Sequence, residues 1–231
     1  MNTSVIIPCH NSAGFIAGAL NSAAAQNPLP REVLVIDDAS TDNLAEVLSK
    51  LQFAFPVRLL RGEFRNAAAA RNLGIENATG DWVAMLDADD LWLEHHLSSA
   101  AELLEGSSDV AYMSNFYLDD SVNPRSIATS SDFETESGLP ASEYLKRMRK
   151  GLHFGHSSVI YRRDRLLEVK AFDVSQKRRH DFDLWLRMIA GRTWSYDASP
   201  QIVYRVNVPS SISRNVAERN YYYLRALLNN R

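Results

Sequence analysis

Cysteine is nearly absent from this 231-residue chain. Cys9 is its only one, which excludes an intramolecular disulfide and any zinc site built on cysteines. Long hydrophobic runs are missing as well, and none approaches the ~20 residues that span a bilayer. The opening residues, MNTSVIIPCHN, have neither the charged start nor the long apolar core of a secretory signal. A cytoplasmic protein with no transmembrane segment is therefore the expectation. No G-x-G-x-x-G follows the first apolar run, and no G-x-x-x-x-G-K-[ST] occurs anywhere. Those absences argue against a dinucleotide-binding Rossmann domain and a P-loop. Phosphate charge would then be met by metal and arginine instead of a glycine cradle. Charge of one sign is lacking too: 25 Lys and Arg stand against 28 Asp and Glu, a net of -3. Overall charge gives no case for nucleic acid or an anionic membrane as partner.

What is present suits one enzyme-sized α/β domain, with 45% hydrophobic and 23% charged residues. Val5-Ile6-Ile7-Pro8 reads as a strand, and Ser12 is a candidate cap for a helix with Phe15, Ile16, Ala19, Leu20 and Ala23 on one face. Residues 32–36 form a second strand that runs into Asp37-Asp38, with Asp42 placed to cap the next helix. Residues 57–60 read as a third strand, 67–77 as a third helix and 80–86 as a fourth strand. This alternation predicts right-handed βαβ crossovers and a mostly parallel sheet. The acidic ends of the second and fourth strands then share one rim.

The stretch that organises the rest is GDWVAMLDADDLWL at residues 80–93. A short apolar run typical of a strand buried on both faces stops at Asp87, Asp89 and Asp90. Ligands of open α/β sheets lie beyond the carboxyl ends of the strands. Carboxylates crowded there repel one another unless a cation joins them, and a hard ion such as Mn2+ or Mg2+ bridges such acids to phosphates. One acid, Asp90, is also well placed to cap a helix beginning near Leu91.

Five stretches together resemble family-two glycosyltransferases of the GT-A fold: SVIIPCHNSAGFIAGAL at 4–20, VLVIDDASTDN at 33–43, AARNLGIENATGDWVAMLDADD at 69–90, HDFDLWLRM at 180–188 and, more weakly, YRVNVPSSIS at 204–213. A lone D-x-D is a weak signal, whereas this ordered set spans almost the whole chain. The resemblance implies a Rossmann-like, mostly parallel sheet flanked by helices. It implies a single domain over residues 1–231, with a nucleotide-sugar-binding half (1–118) and an acceptor-binding half (119–231).

The resemblance also implies roles for individual residues. Pro8 lines the nucleotide pocket, and Asp37 and Asp38 match paired acids, one of which contacts base or ribose. Arg71 matches a position facing the nucleotide, though a surface arginine on a helix is the alternative. Asp87 and Asp89 match the D-x-D acids, with Asp89 the direct metal ligand and Asp87 on the sugar or on the metal through water. Asp181 matches the catalytic base of an inverting transfer, with His180 in place of the usual glutamate. Asn207 stands where a histidine often completes the metal or diphosphate site, and Arg205 and Arg214 are diphosphate candidates.

The second half is less regular. Residues 91–105 read as a helix, with His95 and His96 on its surface or rim. Residues 109–118 read as a strand, 119–138 as an irregular loop over the acceptor site, 141–150 as a short basic helix and 157–161 as a strand. His156 and His180 are acceptor-binding candidates, His156 being equally a structural histidine. Trp185 could stack on a sugar ring, although a core aromatic is the commoner outcome. Residues 216–228 read as a closing helix that packs on the domain, a second subunit or a membrane surface, so an oligomer and peripheral membrane association stay open.

The function expected is an inverting, metal-dependent transfer from a nucleotide-sugar, UDP-sugars first, to a hydroxyl of a glycan or lipid-linked acceptor, as in surface polysaccharide synthesis. A metal-dependent nucleotidyl- or phosphotransferase and a non-catalytic nucleotide-sugar-binding domain are the alternatives.

Overall fold

Val5, Ile6 and Ile7 are each fully buried, which a strand achieves only where layers cover both faces of its sheet. That strand, β1 (Thr3–Cys9), opens an alternation of α1 (Ile16–Ala24), β2 (Glu32–Asp38), α2 (Leu44–Ser49), β3 (Val57–Gly62), α3 (Ala67–Asn77) and β4 (Trp82–Met85). The computed structural model describes residues 1–119, 124–128, 132–153 and 155–206. Its second half continues with β5 (Leu91–Trp92), α4 (His96–Leu104), β6 (Ala111–Asp119), β7 (Pro124–Ile127), β8 (Glu136–Pro140), α5 (Ala141–Arg149), β9 (Val159–Arg162), α6 (Arg163–Glu168), α7 (His180–Ile189) and β10 (Thr193–Arg205).

All of these strands belong to one sheet, ordered β3-β2-β1-β4-β9-β6-β10-β5, with β7 on β6 and β8 on β10. The β3-β2-β1-β4 ladder is parallel, and β10 runs parallel to β6. Between these blocks β9 lies antiparallel to both β4 and β6. The expected mostly parallel α/β sheet is what the chain forms. Side chains alternate across it: Val5, Ile7, Val33 and Val35 pack with Leu20 of α1 and Leu97 of α4. On the other face Ile6, Leu34 and Ile36 join Ile75 of α3 and Trp185 of α7.

Local chemistry explains the start of α3. Asn66 has an extended backbone, and its side-chain oxygen accepts the N–H groups of Ala68 (3.0 Å) and Ala69 (3.2 Å), a strong N-cap. Gly74 lets the helix lie directly on β1, since a Cβ there would come within 2.6 Å of Ile6 Cγ2. Together they aim Arg71 at the sheet's carboxyl rim.

Several expectations need correction. No helix begins at Leu91: Leu91 and Trp92 form β5 against β10, and α4 starts at His96. Ser12 offers its carbonyl to the Phe15 and Ile16 N–H groups, both at 3.0 Å, while its hydroxyl turns back to the His10 carbonyl. Residues 119–138 are not simply an irregular loop, because they include β7 and the first part of β8, paired to β6 and β10. His96 is not a surface residue. It is fully buried between the rings of Trp92 and Tyr112, at 4.8 and 5.7 Å. The expected closing helix at 216–228, and Asn207 and Arg214, lie outside the described residues.

Candidate active site

The loops after β1 and β2 are stitched into one corner. Asn11 Oδ1 accepts the Thr41 N–H at 2.8 Å, and Asp42 Oδ2 accepts the Ala13 N–H at 2.8 Å. Asp42 Oδ1 also receives the Leu44 N–H at 3.3 Å; Asp42 is not the expected cap of α2, whose N-cap is Asn43, but it braces the entry to that helix and ties the loops together. Pro8, partly exposed at the end of β1 and paired in register with Ile36, lies at this corner. The acid pair divides its work. Asp38 is occupied by backbone: Oδ1 accepts from Phe64 (2.6 Å) and Arg65 (2.8 Å), and Oδ2 from Asn66 (2.8 Å). It shapes the turn that launches α3. Asp37 Oδ1 accepts the Ser40 N–H at 3.0 Å, and Oδ2 lies 3.7 Å from Arg61 Nε.

The second acidic loop follows β4. Arg71 Nη2 lies 2.5 Å from Asp87 Oδ1, and Arg71 Nη1 lies 3.0 Å from His180 Nε2. Arg71 is buried, which sets aside the surface alternative. Asp89 is partly buried, and its carboxyl is pushed up by burial and by Asp87, against a downward pull from Arg205 and Arg71. Asp90 is no helix cap. It is 1% exposed, with Oδ2 2.5 Å from Ser157 Oγ and Oδ1 3.1 Å from the Arg205 N–H. Burial and the neighbouring Asp87 push its carboxyl well up.

Two groups report that these loops converge. Burial pushes the Cys9 thiol up, and Asp37, Asp42, Asp87 and Asp89 push it further. Tyr204 is pushed up by burial and then by Asp90, Asp87, Asp89 and Asp181. The phenol of β10 thus senses the β4 acids and the α7 acid together.

Asp181 sits in the first turn of α7, where Oδ1 accepts the Phe182 N–H at 2.8 Å. Burial pushes its carboxyl up, but His180, His156, that N–H and Arg179 outweigh burial and hold it below the usual range. His180 is pulled down to about 4 by burial and Arg71. At neutral pH it is uncharged and its Nε2 accepts from Arg71. Asp183, by contrast, is buried and receives both Nε (2.9 Å) and Nη2 (2.8 Å) of Arg187, a structural pair.

The acceptor-side candidates fare differently. Trp185 does not line the rim: it is fully buried, with Tyr144 at 5.4 Å and Trp194 at 5.3 Å between ring centroids. Its place on the inward face of α7 makes it core. His156 is also buried, its ring edge-on to Phe172 at 5.6 Å, so the structural alternative describes it. His180 faces Arg71 and hence the β4 acids. Two residues escaped the sequence reading. Phe172 carries His180 on its ring at 5.6 Å and Arg71 at 5.9 Å. Asn72 clamps the Phe172 backbone with reciprocal bonds of 2.9 Å each. The one available signal was the adjacency of Asn72 to Arg71.

Among the described residues no three His, Cys, Asp or Glu side chains converge as a cation cage. Mn2+ or Mg2+ needs none, since one or two carboxylates with diphosphate oxygens and water complete its shell. Asp89 and the outer oxygen of Asp87 fit that demand: both are hard oxygen donors, and a cation would relieve the repulsion that raises Asp89.

Comparison with known proteins gives concordant results. The model for "Glycosyl transferase family 2" matches residues 4–169. The amylovoran biosynthesis glycosyltransferase AmsB of Erwinia amylovora is 32% identical over 194 residues, 80% of this chain and 62% of that protein. An uncharacterised glycosyltransferase of Nostoc is 32% identical over 175 residues, 75% of this chain and 54% of that protein. WfaP of Escherichia coli, a UDP-Glc:alpha-D-GlcNAc-diphosphoundecaprenol beta-1,3-glucosyltransferase, is 25% identical over 187 residues, covering 81% of this chain and 70% of it. Among solved structures, S. aureus TarS 1-349 in complex with UDP superposes with a TM-score of 0.74 at 25% identity, covering 89% of this chain and 61% of that one. Its complex with UDP-GlcNAc gives 0.81 at 22% identity, covering 99% and 66%. The chain therefore spans little more than half of the first relatives it matches.

Proposed function

The chain belongs to glycosyltransferase family 2 with the GT-A fold, and from that premise we propose that it moves a sugar from a nucleotide-sugar, a UDP-sugar first, to a hydroxyl acceptor with inversion. The observation that carries this reading is the shared guanidinium: Arg71 joins Asp87 of the acidic loop to His180, the residue before Asp181. One side chain thus links a donor acid to the turn bearing the base.

In this reading the corner formed by Pro8, Asp37 and the loop closed by Asp42 takes the nucleoside, whose N–H and hydroxyl groups suit a carboxylate acceptor. Asp38 serves the site by shaping the turn into α3. Asp89, with Asp87, would hold Mn2+ or Mg2+, which supplies charge neutralisation for the departing diphosphate. Arg205 adds positive charge from β10. The acceptor oxygen forms its bond to the anomeric carbon while the bond from that carbon to the diphosphate oxygen breaks. The electron pair leaves with the nucleoside diphosphate, and the acceptor proton passes to Asp181. The acceptor class drawn from the name of WfaP is a lipid-linked saccharide, and AmsB, named for amylovoran biosynthesis, supports a role in polysaccharide synthesis.

Calorimetric titration with UDP, GDP and dTDP, in Mn2+ and then in EDTA, tests the donor site. Metal-dependent preference for UDP is expected. A folded sample that binds none of them refutes the reading. Nucleotide turnover without a glycosidic product, unaffected by Asp181→Asn, would point to nucleotidyl transfer instead.

A further inference from the structure

Two polar contacts from the acidic loop meet at one hydroxyl that solvent does not reach. Ser157 is fully buried. Its O–H donates to Asp90 Oδ2 at 2.5 Å, and its Oγ accepts the Asp87 N–H at 3.0 Å. Its carbonyl accepts the Trp92 indole N–H at 2.9 Å. The other Asp90 oxygen accepts the Arg205 N–H at 3.1 Å. Ser157, just before β9, therefore grips the acidic loop on both sides of Asp89 and reaches the end of β10 through Asp90.

We propose that Ser157, acting with Asp90, is a positioning residue for the donor: it sets the loop that presents Asp87 and Asp89 and locks that loop to Arg205. This rests on the nucleotide-sugar reading above. The turn closes on itself through the Asp90 N–H and the Asp87 carbonyl at 3.0 Å. With that bond alone, repulsion between neighbouring carboxylates would splay the loop. Ser157 adds a fixed point at the Asp87 backbone and another at the Asp90 side chain. Loss of such supporting partners typically costs a metal site about 10–100-fold in affinity or activity. Ser158 provides an internal control. It is equally buried, and its hydroxyl donates to the Gly155 carbonyl at 2.7 Å, well away from this loop's bonding.

The experiment titrates UDP into wild type, Ser157→Ala, Ser157→Thr, Asp90→Asn and Ser158→Ala, with and without Mn2+, alongside thermal unfolding. Ser157→Ala and Asp90→Asn should bind UDP–Mn2+ about tenfold more weakly or worse, and Ser157→Thr should recover much of the loss. Ser158→Ala should lose stability yet bind like wild type. Wild-type affinity in Ser157→Ala overturns the proposal, as does an equal weakening in Ser158→Ala, which would mean general loosening. If Ser157→Ala does not fold, Asp90→Asn decides, and wild-type affinity there overturns the proposal. Failure of wild type itself to bind UDP sinks the donor-site reading, and the positioning role falls with it.

Discussion

Arg71 and Asp87 meet at 2.5 Å, Nη2 to Oδ1, with the arginine side chain 7% exposed and the aspartate 26% exposed. Arg71 Nη1 also reaches His180 Nε2 at 3.0 Å, so the guanidinium works as a two-pronged spacer. Lysine keeps the charge but has no planar fork. Arg71→Lys is expected to lower turnover about 10–100-fold, the cost of losing a supporting partner. Steady-state kinetics would check this, and turnover within twofold of wild type would remove the spacer role.

Asp181→Asn should keep UDP affinity and lose about 10²–10⁴-fold in turnover, the usual contribution of a positioned base. The active form of the base is the deprotonated one, and its pKa is held down. Protonation of the base should therefore not cost turnover until pH drops below the usual carboxylate range. His180 is pulled down only to about 4, so on acidification its Nε2 stops accepting from Arg71 first, and the acid limb should begin near there. A kcat/KM profile with an acid limb near pH 6 would contradict both assignments.

His96 has no hydrogen-bond partner at either ring nitrogen among the described residues, and burial pushes it down to about 3. An unfolded imidazole titrates near ~6.5. Between those values the unfolded chain holds a proton that the folded chain does not, so each pH unit of acidification costs about 1.4 kcal/mol of stability. His96→Phe removes the buried polar atoms and the proton linkage. It should raise stability at pH 7 by about 1–3 kcal/mol and flatten the loss between pH 6.5 and 5. Urea unfolding at both pH values measures this.

Trp185→Phe tests the reassignment of that ring to the core. The smaller ring leaves a cavity among Tyr144, Tyr161 and Trp194, and stability should fall by about 1–3 kcal/mol. The acceptor KM should not move. A large rise in acceptor KM with unchanged stability would restore the sugar-stacking role.

The first half could be read closely because its signals are local. Asn66 capping its own helix, the apolar run of β4 and the acids after β2 are all set by neighbours in the chain. The acids' duties could not be read so, because they depend on distant partners. Asp90 looked like a cap beside Leu91, yet its partners are Ser157 and Arg205, 67 and 115 positions away. His96 looked like a surface or rim residue because a polar side chain on a helix usually is. Only Trp92 and Tyr112 on either side reveal its burial. Trp185 could face inward or outward until the packing of α5 and α7 was seen, since Tyr144 contacts both Phe182 and Trp185.

β9 has a mechanical consequence. By hydrogen-bonding to β4 on one edge and β6 on the other, it welds the parallel β3-β2-β1-β4 block to the β6-β10 pair, so that the described strands form one continuous sheet. Heat should find no weak seam along which one of these blocks could melt before the other.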